Sequence, residues 1–130
     1  MEPKNKVIVI TGGSGGIGSS MARAFLREGA EAVVISDLDS APVKACADTL
    51  GCDWRVCDVT DESQVQGLVD SVISKYGRVD VYCSNAGAAG SGSGVLTDAS
   101  NEVWQKQWDL HVMAHIYASR ALLPSMIDRG

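Results

Sequence analysis

The chain has 130 residues, 45% hydrophobic and 21% charged, with 16 Asp+Glu against 11 Lys+Arg and a formal net charge of −5. That length and composition suit one domain that buries roughly two-thirds of its unfolded surface, and they exclude a disordered tail, a collagen-like repeat and a disulfide-dense miniprotein. An acidic chain without a Lys/Arg cluster is a poor nucleic-acid binder, no apolar run approaches the ~20 residues of a membrane span, and Met1 to Lys6 reads as no signal peptide.

In chain order, Lys6–Ile10 is a near-continuous apolar run, which predicts a strand covered on both faces. A glycine-rich turn, Thr11 to Gly18, follows. Ile17, Met21, Ala22, Ala24, Phe25 and Leu26 then share one face of a helix that ends near Gly29. Ala32–Ser36 is a second apolar strand. Ser40–Leu50 is a weaker helical segment, with Pro42 near its start and Gly51 after its end. Trp54–Cys57 is a short third strand. Val65, Leu68, Val69, Val72, Ile73 and Tyr76 keep helical spacing until Gly77. Val79–Cys83 is a fourth strand. The Gly- and Ser-rich segment Ala88–Ala99 is either a lid or a plain surface loop. A last helix runs from about Ser100 to Asp128, with Val103, Trp104, Trp108, Val112, Ile116, Ser119 and Leu123 as its expected inner stripe.

Strands alternating with helices imply βαβ units, a parallel sheet with helices on both faces, and right-handed crossovers. No internal repeat or linker divides the chain. Cys46, Cys52, Cys57 and Cys83 form no CxxC pair, so zinc is not expected. Buried free thiols and a reducing, cytoplasmic setting are expected instead.

The turn Thr11-Gly12-Gly13-Ser14-Gly15-Gly16-Ile17-Gly18 sits between a strand and an amphipathic helix. Glycines leave backbone N–H groups open to a phosphate, and the helix N-terminus adds a favourable dipole. Asp37, at the end of the second strand, can accept hydrogen bonds from both hydroxyls of an adenosine ribose and would repel a 2′-phosphate. Positions 12 to 20 hold no basic residue and Leu38 follows Asp37, so NAD(H) is expected in preference to NADP(H).

Taken together, these motifs resemble the short-chain dehydrogenase/reductase family. Thr11-Gly12-x-x-x-Gly16-x-Gly18 has the family's spacing. Cys57-Asp58-Val59-Thr60 is similar to its adenine-pocket segment, Ser84-Asn85-Ala86-Gly87 to its Asn-Asn-Ala-Gly motif, and Trp108-Asp109-Leu110-His111-Val112-Met113-Ala114 to its fourth-helix segment. The resemblance implies a three-layer α/β/α Rossmann fold with strand order 3-2-1-4. It implies that Gly12, Ser14, Gly15, Gly16, Ile17 and Gly18 hold the pyrophosphate, Asp37 and Leu38 the ribose end, and Asp58 and Val59 the adenine. Asn85, Ala86 and Gly87 would floor the site, with Asn85 bracing the central strand. Two of these residues have simpler readings: Asp58 as the cap of the helix starting near Asp61, and Asn85 as a satisfied turn residue.

The family's chemistry is hydride transfer between nicotinamide and an alcohol or ketone, served by a Ser, an Asn and a Tyr-x-x-x-Lys pair. No Tyr-x-x-x-Lys occurs in this sequence, and the chain stops at Gly130, where a fifth strand would begin. The resemblance therefore implies one cofactor-binding domain over residues 1–130 that ends ahead of the catalytic segment. His111 stands at the position of the family's relay Asn and is the one candidate catalytic residue; a helix His packed among Trp104, Trp108 and Ile116 is the alternative. His111 and His115 at i, i+4 lack an evident third ligand, so no metal is expected. The family packs its fourth helix against a second subunit, so a homo-oligomer, dimer or tetramer, is expected, with no nucleic-acid or membrane partner and an alcohol or ketone as substrate. The competing readings are a non-catalytic NAD-binding or oligomerising module and a different Rossmann-type protein such as a methyltransferase.

Overall fold

The structure is a computed structural model that describes residues 2–88 and 96–130. Its centre is β1 (Val7–Thr11), every residue of which is buried. Beside it run β2 (Ala32–Asp37), β3 (Asp53–Val56) and β4 (Val81–Cys83), all parallel, in the order β3-β2-β1-β4. This is the expected order 3-2-1-4. Val7 pairs with Ala32 at one end of the β1–β2 ladder and Thr11 with Ser36 at the other.

Alternation along the strands sends side chains to two cores. Val7, Val9 and Val34 face Val65, Leu68, Val69 and Val72 of α3 (Glu62–Tyr76) and Ala114, Ala118 and Leu122 of the last helix. Ile8, Ile10, Val33 and Ile35 face Met21, Ala22 and Phe25 of α1 (Gly16–Arg27) and Val43 and Ala47 of α2 (Ser40–Leu50). Helices thus cover both faces of the sheet. Each fully buried Val, Ile or Leu contributes about 1.5–3 kcal/mol, so β1 and β2 anchor the sheet, while β3 and β4 are only partly covered.

Helix ends follow local chemistry. Asp61 Oδ1 accepts from the N–H groups of Ser63 and Gln64 and starts α3, so the cap is Asp61 and not Asp58. Gly77 ends α3 with φ +80°, a conformation that suits glycine.

The strand boundaries and the last helix differ from expectation. β1 and β3 are displaced by one residue, β2 runs one residue further to Asp37, and β4 is shortened because Val79 and Asp80 precede its ladder. The last helix is interrupted. It consists of α4 (Asn101–Trp108), a π turn over Asp109–Met113, and α5 (Ala114–Arg129). The expected stripe is not the inner one. Trp104, Trp108, Ile116 and Leu123 are 50%, 56%, 37% and 50% exposed, whereas Ala114, Ala118 and Leu122 are at most 5% exposed. Small residues let α5 approach α3 closely, and the extra residue of the π turn rotates one half of the stripe by about 100° against the other. Cys57 is buried, but Cys46, Cys52 and Cys83 are only half-buried, and all four are unpaired. The Ala88–Ala99 segment falls mostly on residues 89–95, outside the described residues.

Asp80 fastens the sheet at the end opposite the glycine turn. Its Oδ2 accepts from Val7 N–H at 2.8 Å and from Arg78 Nε at 2.9 Å. Burial pushes the Asp80 carboxyl up, but the Val7 N–H and the Arg78 guanidinium outweigh it and hold the group below the usual value of 3.8. A depressed carboxylate pKa stabilises the fold above pH 3.8, and that stability is lost as pH falls through the folded-state value. Asp80→Asn is therefore expected to cost about 1–2 kcal/mol at neutral pH and to flatten the acid limb, as read by urea denaturation at pH 7 and below pH 4.

Candidate functional site

The carboxyl ends of β1, β2 and β4 open into a crevice of about 560 Å³. It lies where the connections leave β1 in opposite directions, the place where open parallel sheets bind ligands. One wall is the turn between β1 and α1. Gly12 has φ +64°, and a Cβ there would lie 2.9 Å from the Ala86 Cα. A Cβ on Gly18 would lie 2.2 Å from the Gly12 carbonyl oxygen, so helix and turn touch backbone to backbone. Gly16 has nothing within 4 Å of a would-be Cβ. That space opens on the N-terminus of α1, whose cap residue Gly15 supplies no side-chain acceptor. Asp61 and Ser100 supply one for α3 and α4, whereas α1 and α2 have no side-chain cap, and of these two it is α1 whose first turn lines the crevice.

Asp37 stands beside the turn. Its Oδ2 accepts from the Ser14 N–H at 3.1 Å and from the Ser14 hydroxyl, and its Oδ1 accepts from the Leu38 N–H at 2.9 Å. The β2 carboxylate is thereby fixed against the glycine turn. Asp58 folds into a local turn in which Oδ1 accepts from the N–H and hydroxyl of Thr60, while its own N–H donates to Gln64 Oε1. Asp58 Oδ2 carries no hydrogen bond among the described residues. Asp37 and Asp58 are the charged side chains of the lining, which includes no Lys or Arg. The neighbouring Cys57 thiol is pushed up to about 11 by burial and then by the charges of Asp58 and Asp61.

Thr11 and Asn85 make the floor. Thr11 is 0% exposed. Its hydroxyl accepts from the N–H groups of Asn85 at 3.0 Å and Ala86 at 3.1 Å and donates to the Cys83 carbonyl at 3.4 Å. The Asn85 amide donates back to the carbonyls of Thr11 at 3.0 Å and Gly12 at 3.3 Å. These five contacts lock the end of β4 to the end of β1.

All thirteen residues expected to hold a cofactor, from Gly12 to Gly87, line this one crevice. Cys57, Ala88 and Leu110 line it too and were not foreseen. Nor was Thr11, although a hydroxyl residue just before the first turn glycine, at the end of a buried strand, is its sequence signal. His111 does not line the crevice. It lies in the π turn, its side chain is exposed rather than packed among tryptophans, and its Nε2 is 3.2 Å from the Ala88 carbonyl oxygen. A Cβ on Gly87 would meet His111 Cε1 at 2.9 Å, so the imidazole sits directly against Gly87. No cluster of three or more candidate metal ligands occurs among the described residues.

Sheet, crossovers and crevice define a Rossmann-type α/β/α domain. Residues 6–130 match the short chain dehydrogenase family, and the chain belongs to it. Among curated relatives it is 32% identical over 130 residues to (+)-cis,cis-nepetalactol synthase of Nepeta racemosa, covering 98% of this chain and 48% of that one. It is 42% identical over 96 residues to (-)-isopiperitenol/(-)-carveol dehydrogenase of Mentha piperita, covering 72% and 36%. A short-chain dehydrogenase/reductase from Burkholderia phymatum, solved in complex with NAD, superposes with a TM-score of 0.86 at 29% identity, covering 95% and 45%. The chain spans at most about half the length of these relatives.

Removing the Thr11 hydroxyl strands the half-buried N–H groups of Asn85 and Ala86. Thr11→Val is expected to lower unfolding stability by about 1–3 kcal/mol at nearly unchanged volume, measured by chemical denaturation.

Proposed function

We propose that this chain is the cofactor-binding domain of an oxidoreductase that binds NAD(H) in preference to NADP(H) and exchanges hydride with an alcohol or ketone. The observation that carries the reading is the pairing, across one crevice, of an uncapped helix N-terminus with a fixed carboxylate and no cation. The open space at Gly16 fits a pyrophosphate, and the first-turn N–H groups of α1 suit its charge. Asp37 is the acceptor for the ribose hydroxyls and the repulsive element against a 2′-phosphate. The unused Oδ2 of Asp58 suits the adenine amino group, with Val59 and Leu38 as apolar walls. Asn85, Ala86 and Gly87 support the nicotinamide end.

The bound nicotinamide supplies hydride chemistry, and this chain's residues bind and orient it. Residues 1–130 contain no Tyr-x-x-x-Lys, the proton-handling pair of the family's reaction, so the isolated chain is expected to bind cofactor without turnover. The Nepeta and Mentha relatives, a nepetalactol synthase and an isopiperitenol/carveol dehydrogenase, direct the substrate reading toward small alcohols and ketones. His111, held on the Ala88 carbonyl, takes the relay position. The exposed Trp104, Trp108, Ile116 and Leu123 offer an apolar helix face to a second subunit, and light scattering of the chain is expected to show an oligomer. Unpaired cysteines suit a reducing compartment such as the cytoplasm.

Titration calorimetry tests the cofactor assignment. Asp37→Ala is expected to weaken NADH binding by about 1–3 kcal/mol and to narrow the gap to NADPH. Gly16→Ala is expected to keep the unfolding midpoint and lose NADH affinity, since its methyl enters the pyrophosphate space. Equal affinity of the unmodified chain for NADPH and NADH would overturn the role given to Asp37.

A further inference from the structure

Among the described residues β3 is an outer strand of the sheet, on the side away from β4. The Cys57 N–H donates to the Asp37 carbonyl of β2 at 3.0 Å. Backbone groups alternate along a strand, so Asp53 and Arg55 turn theirs toward β2, and Trp54 and Val56 turn theirs to the open edge. No hydrogen bond at that edge occurs among the described residues. Nor does α3 close it, because a cleft of about 510 Å³ lies between β3 and Ser71, Lys75 and Tyr76, and Val56 is 47% exposed. The side chains are ordered by charge. Asp53 and Arg55 share the face toward α3 and both line the cleft. Asp53 Oδ2 accepts from Lys75 Nζ and from the Tyr76 hydroxyl, while its Oδ1 has no partner among the described residues. The Arg55 guanidinium is exposed and has neither a hydrogen bond nor an ion pair among them. Trp54 takes the other face, packed against the cluster beneath α1 and α2.

We propose that β3 pairs with β3 of a second copy of this chain, antiparallel about a two-fold axis at Trp54, so that the two sheets run on as one. In that register each Trp54 exchanges both of its free backbone hydrogen bonds with the partner's Trp54, and the two indoles stand side by side on one face. On the other face each Asp53 stands opposite the partner's Arg55, at the close spacing of a pair that shares no backbone bond. Charge selects this register. Sliding the second copy by two residues one way sets Arg55 opposite the partner's Arg55. Sliding it the other way sets Asp53 opposite the partner's Asp53, and like charges directly opposite are destabilising. A slip of one residue fails for another reason, since it opposes a free edge group to one already bonded to β2. Exposed ion pairs add little affinity, so the charges fix the geometry while the backbone bonds and the indole pair hold it. This surface is separate from the apolar face of α4 and α5. β3 leads directly into Cys57, Asp58 and Val59, so the joined edge lies beside the crevice of each copy.

Amide hydrogen exchange and sedimentation equilibrium test the pairing. The Trp54 and Val56 amides are expected to exchange slowly at high chain concentration and quickly on dilution. Arg55→Glu sets carboxylates opposite one another on both sides of the axis and is expected to raise the dissociation constant about tenfold. Asp53→Arg sets cations opposite one another and is expected to do the same. An equal mixture of the two variants restores opposite charges at both positions, and it is expected to recover the pair as a heterodimer. Arg55→Glu touches no partner within the chain, so it stands as a test even where Asp53→Arg unfolds on losing Lys75 and Tyr76. Neither substitution touches the α4–α5 face, so where that face also assembles, the mass is expected to halve rather than fall to a monomer. Fast exchange of both amides at every concentration would overturn the proposal. So would slow exchange at every dilution, which means that the edge is covered within one chain. An unchanged assembly mass in Arg55→Glu, or open-ended aggregates insensitive to the charge swap, would overturn it too. Failure of two folded variants to recover the pair on mixing would overturn the register.

Discussion

Everything at the crevice depends on the buried hydroxyl of Thr11. It is one oxygen, wholly removed from solvent, that accepts two backbone N–H groups and donates to a carbonyl. Without it, the chain leaving β4 would leave two half-buried donors unpaired, and Asn85 would have no fixed place from which to reach β1. With it, β1 and β4 end at the same level, and Gly12 can approach Ala86 closely enough to exclude a side chain. The glycine of the turn and the threonine before it are therefore one device. The first permits contact between two backbones, and the second supplies the polar satisfaction that makes contact affordable.

The charge layout follows from the same compression. Ser14, carried on the turn, meets Asp37 at the end of β2, so the turn is tied to both neighbours of the central strand. The carboxylate is held before any ligand arrives, and the donors at the start of α1 are left open. One end of the crevice favours anionic oxygens and the other repels them. That polarity orients a long, unsymmetrical ligand, which an apolar cleft of the same volume would not do.

The strands and the glycine turn were legible because their signals are local and strong, and the strand order came with the family resemblance. Short, β-branched apolar runs such as Val7–Ile10, bounded by a turn, favour strands covered on both sides, and the glycine pattern lies between such a run and an amphipathic helix. The last helix was misread for two physical reasons. Hydrophobic periodicity ranks residues by bulk, and Trp104 and Trp108 outrank Ala114 and Ala118, but close packing on α3 requires small side chains. The π turn then shifts the phase midway, so no single 3.6-residue stripe describes both halves. Asp58 lines the crevice and does not cap α3, because Asp61 stands next to the helix and Asp58 does not. Thr11 was passed over because its importance rests on partners more than seventy positions away, which no local pattern reveals.

That separation governs the order in which the fold can assemble. The Thr11 hydroxyl and the Asn85 N–H are 74 positions apart in the chain, and a parallel ladder offers no hairpin through which to bring them together. Closing so long a loop costs entropy that is recovered only when the last partner docks. On a ribosome, β1, the turn and α1 emerge first and wait while β2, β3 and α3 are made. The crevice thus becomes rigid late, although its most recognisable motif is synthesised well before the residues that close it.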